Sequence, residues 1–199
     1  MLSLGLGLGL NAGLHPQASE NAHHPELLLQ TALTLTHGQI DEGTLVRHLA
    51  MPWLEIKREV DRNDRFLFEF SKHPREFEEF LAACYDRAGF DEVILTPRSD
   101  DKGRDVIAII RGKFQLRILD QAKAFSPGRL VGQNDVRAML HVIQNDRAAS
   151  KGYVTTTSDF APGITKPDSE FAPYLPTRLE LRNGAKIAKW ISDLSDPNS

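Results

Sequence analysis

The stretch DVIAIIRGKFQLRILDQAKAF, residues 105–125, decides the fold. Its first part, Asp105 to Ile110, is strongly β-forming and apolar on both alternating faces, which marks a central strand. Gly112 turns the chain between Arg111 and Lys113. Gln115 to Ala124 then reads as a second long strand. Upstream, Arg75 to Gly89 has apolar residues at helical spacing: Phe77, Phe80, Leu81, Cys84 and Ala88. Gly89 is a natural helix stop. Asp91 to Thr96 is a short strand, and Pro97 to Gly103 a polar turn. Downstream, a loop carrying Pro127 and Gly128 leads to Asn134, read as the cap of a helix built on Val136, Met139, Leu140 and Ile143. Gly152 to Thr157 and Leu179 to Leu181 read as strands, and Ala185 to Leu194 as a last helix. The order predicts an α/β fold with one mixed central β-sheet flanked by helices.

The flanking sequence is less informative. Met1 to Leu10 alternates leucine and glycine without a strand or the G-x-G-x-x-G spacing of a nucleotide loop. Residues 1–24, with His15, His23 and His24, read as a non-native or disordered tail. Residues 25–72 read as a small helical appendage: Glu26 to Thr36, then Leu45 to Leu49, then Trp53 to Val60 beyond the break at Pro52. That block is a candidate surface for a partner protein. Residues 73–199 form the main domain. One cysteine among 199 residues, Cys84, excludes an internal disulfide and a Cys-rich zinc module. No run of about 18 apolar residues exists, so no transmembrane helix is expected, and a cytoplasmic location fits. The net charge is −3, yet Arg98 to Arg129 holds eight basic residues against four acidic ones. A local basic patch of this kind suits phosphate contacts.

Chemistry is concentrated on the two strands first quoted. Gln121 and Lys123 are two apart on one strand, so they project from the same face. Asp105 starts the preceding strand, and antiparallel pairing around Gly112 brings all three together. A carboxylate, an amide and an ammonium at one sheet edge suit a hard cation, a phosphate and a water. A second acid is sought on the helix before the sheet. Glu79 falls opposite the apolar face. Glu76 and Glu78 border it on either side, and Glu78 lies on the side carrying Ala82 and Tyr85. Gln133 and Arg137 flank a helix start, where anions are favoured. Thr155, Thr156 and Thr157 read as strand formers, and Trp53 and Trp190 as packing residues.

The runs REFEEFLAACYDRAGF, TPRSDDKGRDVIAI, LRILDQAKAF, NDVRAML and GYVTTTSDF resemble the Mrr-like restriction endonuclease catalytic domain, of the PD-(D/E)xK nuclease fold. The resemblance spans about Pro74 to Phe160, with a looser echo through LELRNGAKIAKWI. It implies Mg²⁺-dependent hydrolysis of DNA phosphodiester bonds leaving 5′-phosphates, with Mn²⁺ able to substitute. By that resemblance Asp105, Glu78 and Gln121 hold the metal and Lys123 serves the attacking water and the scissile phosphate. Lys102, Arg104, Arg129 and Arg137 are the candidate DNA contacts. One such site cuts one strand, so a double-strand cut implies a homodimer or two sequential nicks. Lys102 and Arg104 stand where many members carry glycine or a small apolar residue. The segment APGITKPDSEFAPYLP, with Pro162, Pro167, Pro173 and Pro176, departs from a clear helix. Two other readings fit the same residues: a DNA-binding or interaction module that has lost cleavage, and a nuclease for RNA or branched DNA.

Overall fold

The computed structural model describes residues 36–40, 43–46, 53–97 and 103–194. The elements are β1 (Thr36–Ile40), β2 (Gly43–Val46), α1 (Trp53–Arg62), a 3-10 segment (Asp64–Lys72), α2 (Pro74–Arg87), β3 (Glu92–Leu95), β4 (Val106–Ile110), β5 (Leu116–Lys123), α3 (Gln133–Asn145), β6 (Lys151–Thr156), β7 (Leu179–Arg182) and α4 (Gly184–Asp193). The strands form one mixed sheet whose spatial order follows the chain. Neighbours from β1 to β5 are antiparallel. The β5–β6 and β6–β7 pairs are parallel. Helix α3 supplies the crossover that a parallel β5–β6 pair requires.

Strand β4 explains why the sheet is a three-layer structure. Val106 and Ala108 enter one core with Phe70, Phe77, Phe80, Leu81 and Ile187. Ile107 and Ile109 enter the other with Leu119, Met139, Ile143 and Val154. Both faces of β4 are therefore buried, as its continuous apolar run predicts. The spacing of Phe77, Phe80, Leu81 and Cys84 aims one stripe of α2 inward, and all four are buried. Ile56 and Val60 of α1 and Phe66, Leu67 and Phe70 of the 3-10 segment belong to that same core. Burying aliphatic and aromatic side chains of this size contributes about 1.5–3 kcal/mol each. The proline-containing stretch after β6 is irregular, and it buries Ile164 and Phe171 against the α3 side.

Two expectations are corrected. Residues 36–40 and 43–46 are not helical: β1 and β2 pair, and β2 extends the sheet by pairing with β3, Thr44 opposite Leu95 and Val46 opposite Val93. Thr36, Ile40, Thr44 and Val46 are β-branched, and Gly38 and Gly43 disfavour a helix, so pairing to an available edge prevails over the leucine spacing. Leu45 thus lies in a strand, whereas Glu26 to Leu35 and Arg47 to Leu49 lie outside the described residues. The cap of α3 is Gly132, not Asn134. Asp135, three residues on, accepts the Gly132 N–H through Oδ2 at 3.2 Å. That back-bond satisfies an amide at the helix start without a capping side chain at Gly132. The tail 1–24 and Lys102 also lie outside the described residues.

Candidate active site

Asp105 immediately precedes β4, and the register Val106 opposite Asp120 sets it across from Gln121. Its backbone is held on both sides. Asp105 N–H donates to the Asp120 carbonyl at 2.8 Å, and its carbonyl accepts from Thr96 N–H at 3.0 Å. Thr96 Oγ1 donates to that carbonyl at 3.1 Å. The carboxylate is fixed too, since Oδ2 accepts from Ala122 N–H at 2.7 Å. The turn leading in uses Gly103 at φ +76°, where a Cβ would stand 2.9 Å from Val142 Cγ2. A side chain there meets both left-handed strain and a clash.

Gln121 is 8% exposed, and its Oε1 is buried without a hydrogen-bond partner. An unmade hydrogen bond at a buried carbonyl costs about 1–3 kcal/mol, so the atom is a standing acceptor for a cation or a donor. Lys123 follows on the same face, its Nζ 3.3 Å from Asp135 Oδ1 at the start of α3. Glu78 lies in the first half of α2, on the other layer. It shares a cleft of about 480 Å³ with Asp105, lined also by Lys72, His73, Arg75 and Pro97. Gln121 and Lys123 are not among that cleft's lining residues. Arg75 holds Glu78 in place: Nη1 donates to Glu78 Oε2 at 2.6 Å and to the Thr96 carbonyl at 2.9 Å.

The donor set fits a hard divalent cation. It is all oxygen, comprising two carboxylates and the unpartnered amide carbonyl of Gln121. No group of three or more His, Cys, Asp or Glu that could hold a metal occurs among the described residues.

The remaining candidates are dispersed. Arg104 lines a different cleft with His141, Asn145 and Asp146. Arg129 stacks over Phe125 at 4.0 Å and lines a third cleft with Gln133, Asn134 and Asp135, on the Lys123 side. Arg137 is engaged by Glu170, with Nε to Oε1 at 2.9 Å and Nη2 to Oε1 at 2.5 Å, and by Asn134 Oδ1 at 2.7 Å.

Sequence reasoning missed the groups that hold this site in place. Asp120, opposite in facing to Gln121, is fully buried. Its Oδ2 accepts from Tyr85 Oη at 2.8 Å and Thr155 Oγ1 at 2.9 Å, and lies 3.5 Å from Arg182 Nη1. Burial pushes the Asp120 carboxyl above its ordinary range, opposed by Arg182 and the Thr155 and Tyr85 hydrogen bonds. Burial and then Asp120 push the Tyr85 phenol well up. Arg75 and Glu78 had a readable signal in their i,i+3 spacing. Asp120 had none, because its partners are distant in sequence.

Residues 71–191 match the Mrr_cat family, described as restriction endonuclease. No curated protein matches the chain. Solved structures that resemble it include two restriction endonucleases. The MspJI restriction endonuclease in complex with a 27-mer oligonucleotide is 20% identical with a TM-score of 0.38, covering 69% of this chain and 30% of that one. The DNA modification-dependent restriction endonuclease AspBHI is 19% identical with a TM-score of 0.45, covering 73% of this chain and 38% of that one. The chain thus spans less than two fifths of either.

Proposed function

The chain belongs to the restriction endonuclease family of Mrr catalytic domains, and from that premise we propose that it is a metal-dependent DNA endonuclease acting in restriction of foreign DNA. The observation that carries the reading is the placement of Asp105 opposite Gln121, whose buried Oε1 has no protein partner, with Lys123 two residues on.

Asp105, Glu78 and Gln121 are the residues that would hold Mg²⁺ or Mn²⁺. A bound divalent ion supplies Lewis-acid polarisation of the phosphodiester and a more acidic water. The chain's own groups do the rest. The Ala122 N–H holds the Asp105 carboxylate at a set angle. The Arg75 guanidinium holds Glu78 against the Thr96 carbonyl. The Lys123 ammonium orients the attacking water and stabilises the charge that grows on the phosphoryl oxygens. The water oxygen bonds to phosphorus and gives up a proton to solvent, the P–O3′ bond breaks and O3′ takes up a proton from solvent, and the products are a 5′-phosphate and a 3′-hydroxyl. Arg129, beside the Lys123 side of the sheet, meets a flanking phosphate, which gives salt-dependent and sequence-independent affinity. Cutting both strands in one encounter calls for a homodimer. No helix among the described residues is long and apolar enough to cross a membrane. On the nuclease reading alone, the protein works in the cytoplasm, where its DNA is.

The test is plasmid nicking in Mg²⁺, Mn²⁺ and EDTA beside Asp105→Ala and Lys123→Ala. Metal-dependent nicking that both folded variants lose supports the reading. DNA binding with no product from modified or unmodified plasmid supports the inactive module instead. Faster cutting of RNA or junctions than of duplex reassigns the substrate.

A further inference from the structure

We propose that Asp135 is a positioning residue for cleavage: it holds the Lys123 ammonium in place, although it touches neither metal nor substrate. The proposal rests on the nuclease reading of Lys123.

Lys123 ends β5, and its main chain is heavily anchored. Its carbonyl accepts from Phe125 N–H at 2.9 Å and Thr157 N–H at 3.3 Å. It also accepts from Thr156 Oγ1 at 2.8 Å. Thr157 Oγ1 accepts from Phe125 N–H at 2.8 Å and donates to the Phe125 carbonyl at 2.7 Å. The strand end and the start of the next loop are therefore fixed. The side chain is not fixed by this, because a lysine stem carries about 2 kcal/mol of rotamer entropy. An ammonium that wanders cannot meet a growing phosphoryl charge at a constant place.

Asp135 supplies the missing constraint. Its Oδ1 stands 3.3 Å from Lys123 Nζ. Its Oδ2 takes the Gly132 N–H at 3.2 Å, so the carboxylate is itself locked to the first turn of α3. That turn does not float. Val131 N–H donates to the Asp159 carbonyl at 2.9 Å, and Ala161 N–H to the Val131 carbonyl at 2.9 Å. Val136, Met139 and Ile143 anchor the helix in the core. A carboxylate is an unexpected choice beside a DNA path, because it repels phosphate. Its Oδ2 bond to the Gly132 N–H accounts for one oxygen, and the Lys123 ammonium is the partner of the other.

Asp135→Asn separates the two contacts, since an amide oxygen still accepts the Gly132 N–H while the charge is gone. The expected result is a split: kcat for nicking falls by about 10- to 100-fold, the scale of a small misplacement of a reacting group. DNA affinity stays equal or becomes tighter, and Tm changes little. Asp135→Glu restores part of kcat. A second readout needs no turnover: in lysine-labelled protein, the Lys123 Nζ resonance, assigned with Lys123→Arg, shifts in Asp135→Asn. A wild type that cuts no nucleic acid in Mg²⁺ or Mn²⁺ sinks the nuclease reading and this proposal together. If wild type cuts, Lys123→Ala does not, and Asp135→Asn cuts at the wild-type rate, the reading stands and the proposal falls. Faster cutting by Asp135→Asn also overturns it, since Asp135 would then be a brake.

Discussion

Replacing Arg182 by methionine tests the buried arrangement beneath the site most directly. Arg182 is 12% exposed at its side chain and is the cation nearest the fully buried Asp120, at 3.5 Å. Its guanidinium also donates to Tyr85 Oη at 3.3 Å and lies 4.0 Å from the Trp190 ring and 4.4 Å from the Tyr153 ring. Methionine keeps much of the length and the ring contacts but removes the charge. Removing one member of a buried pair costs about 3–5 kcal/mol because the other charge is left uncompensated. Asp120 keeps two hydroxyl donors and can take up a proton, so the lower end, about 3 kcal/mol, is expected. At about 2–4 °C per kcal/mol for a domain of this size, Tm falls by about 6–12 °C. The pH dependence has a definite sign. Burial already raises the Asp120 carboxyl, and Arg182 is the first force opposing that rise. Its loss raises the carboxyl further above its unfolded value. Such a group favours folding below the unfolded value, and that stability is lost as pH rises through the folded one. The deficit of Arg182→Met is therefore smaller at about pH 5 than at about pH 8. Urea unfolding followed by circular dichroism at both pH values measures it, with Asp120→Asn and the double variant closing a cycle. A loss below about 1 kcal/mol that is equal at both pH values, with additive single effects, refutes the reasoning.

Three further outcomes follow from other contacts. Gln121→Leu removes a buried unpartnered carbonyl, so stability holds or rises while metal-dependent nicking is lost; a large fall in Tm with residual nicking would contradict the assigned role. Gly184→Ala destabilises by about 1–3 kcal/mol, because a Cβ there stands 2.7 Å from the Thr157 carbonyl oxygen, a backbone atom that cannot step aside; thermal unfolding measures it. Arg129→Ala lowers the salt slope of DNA binding by about 0.9 while leaving sequence preference unchanged, as read from binding isotherms at several salt concentrations.

What the sequence disclosed and what it hid divide by the range of the interaction. The Asp105–Gln121 pairing was legible because a short turn at Gly112 joins two strands of clear pattern, leaving little freedom in register. Glu78 was legible as a border residue of α2 because helical periodicity is local. The β1–β2 hairpin was not, because β2 is stabilised by the β3 edge some fifty residues later. Arg137 was read from its helix position as free for phosphate, whereas Glu170, distant in sequence, engages it. Asn134 was read as a cap because its residue type suits one, but Asp135 bonding back to Gly132 decided the start.

Strand alternation explains why the hidden network matters to the site. Gln121 and Lys123 must face α3 once Leu119 does, and Asp120 must then face the layer of α2 and α4. Glu78 sits on that opposite layer, so the two halves of the candidate site cannot be aligned by contacts on one face alone. Arg75 and Thr96 make one link between them, from Glu78 to the Asp105 backbone, and Asp120 makes another. Its carbonyl receives the Asp105 N–H at 2.8 Å, and its carboxylate receives Tyr85 Oη at 2.8 Å. Tyr85 is seven residues beyond Glu78, close to two helical turns, so the two share a face of α2. The Tyr85 bond therefore fixes the rotation of the helix that presents Glu78, while the Asp120 carbonyl fixes the strand start that presents Asp105. A change at Tyr85 that spares the core, such as Tyr85→Phe, should reach the site through Glu78 before it reaches Lys123, which β6 and α3 hold independently.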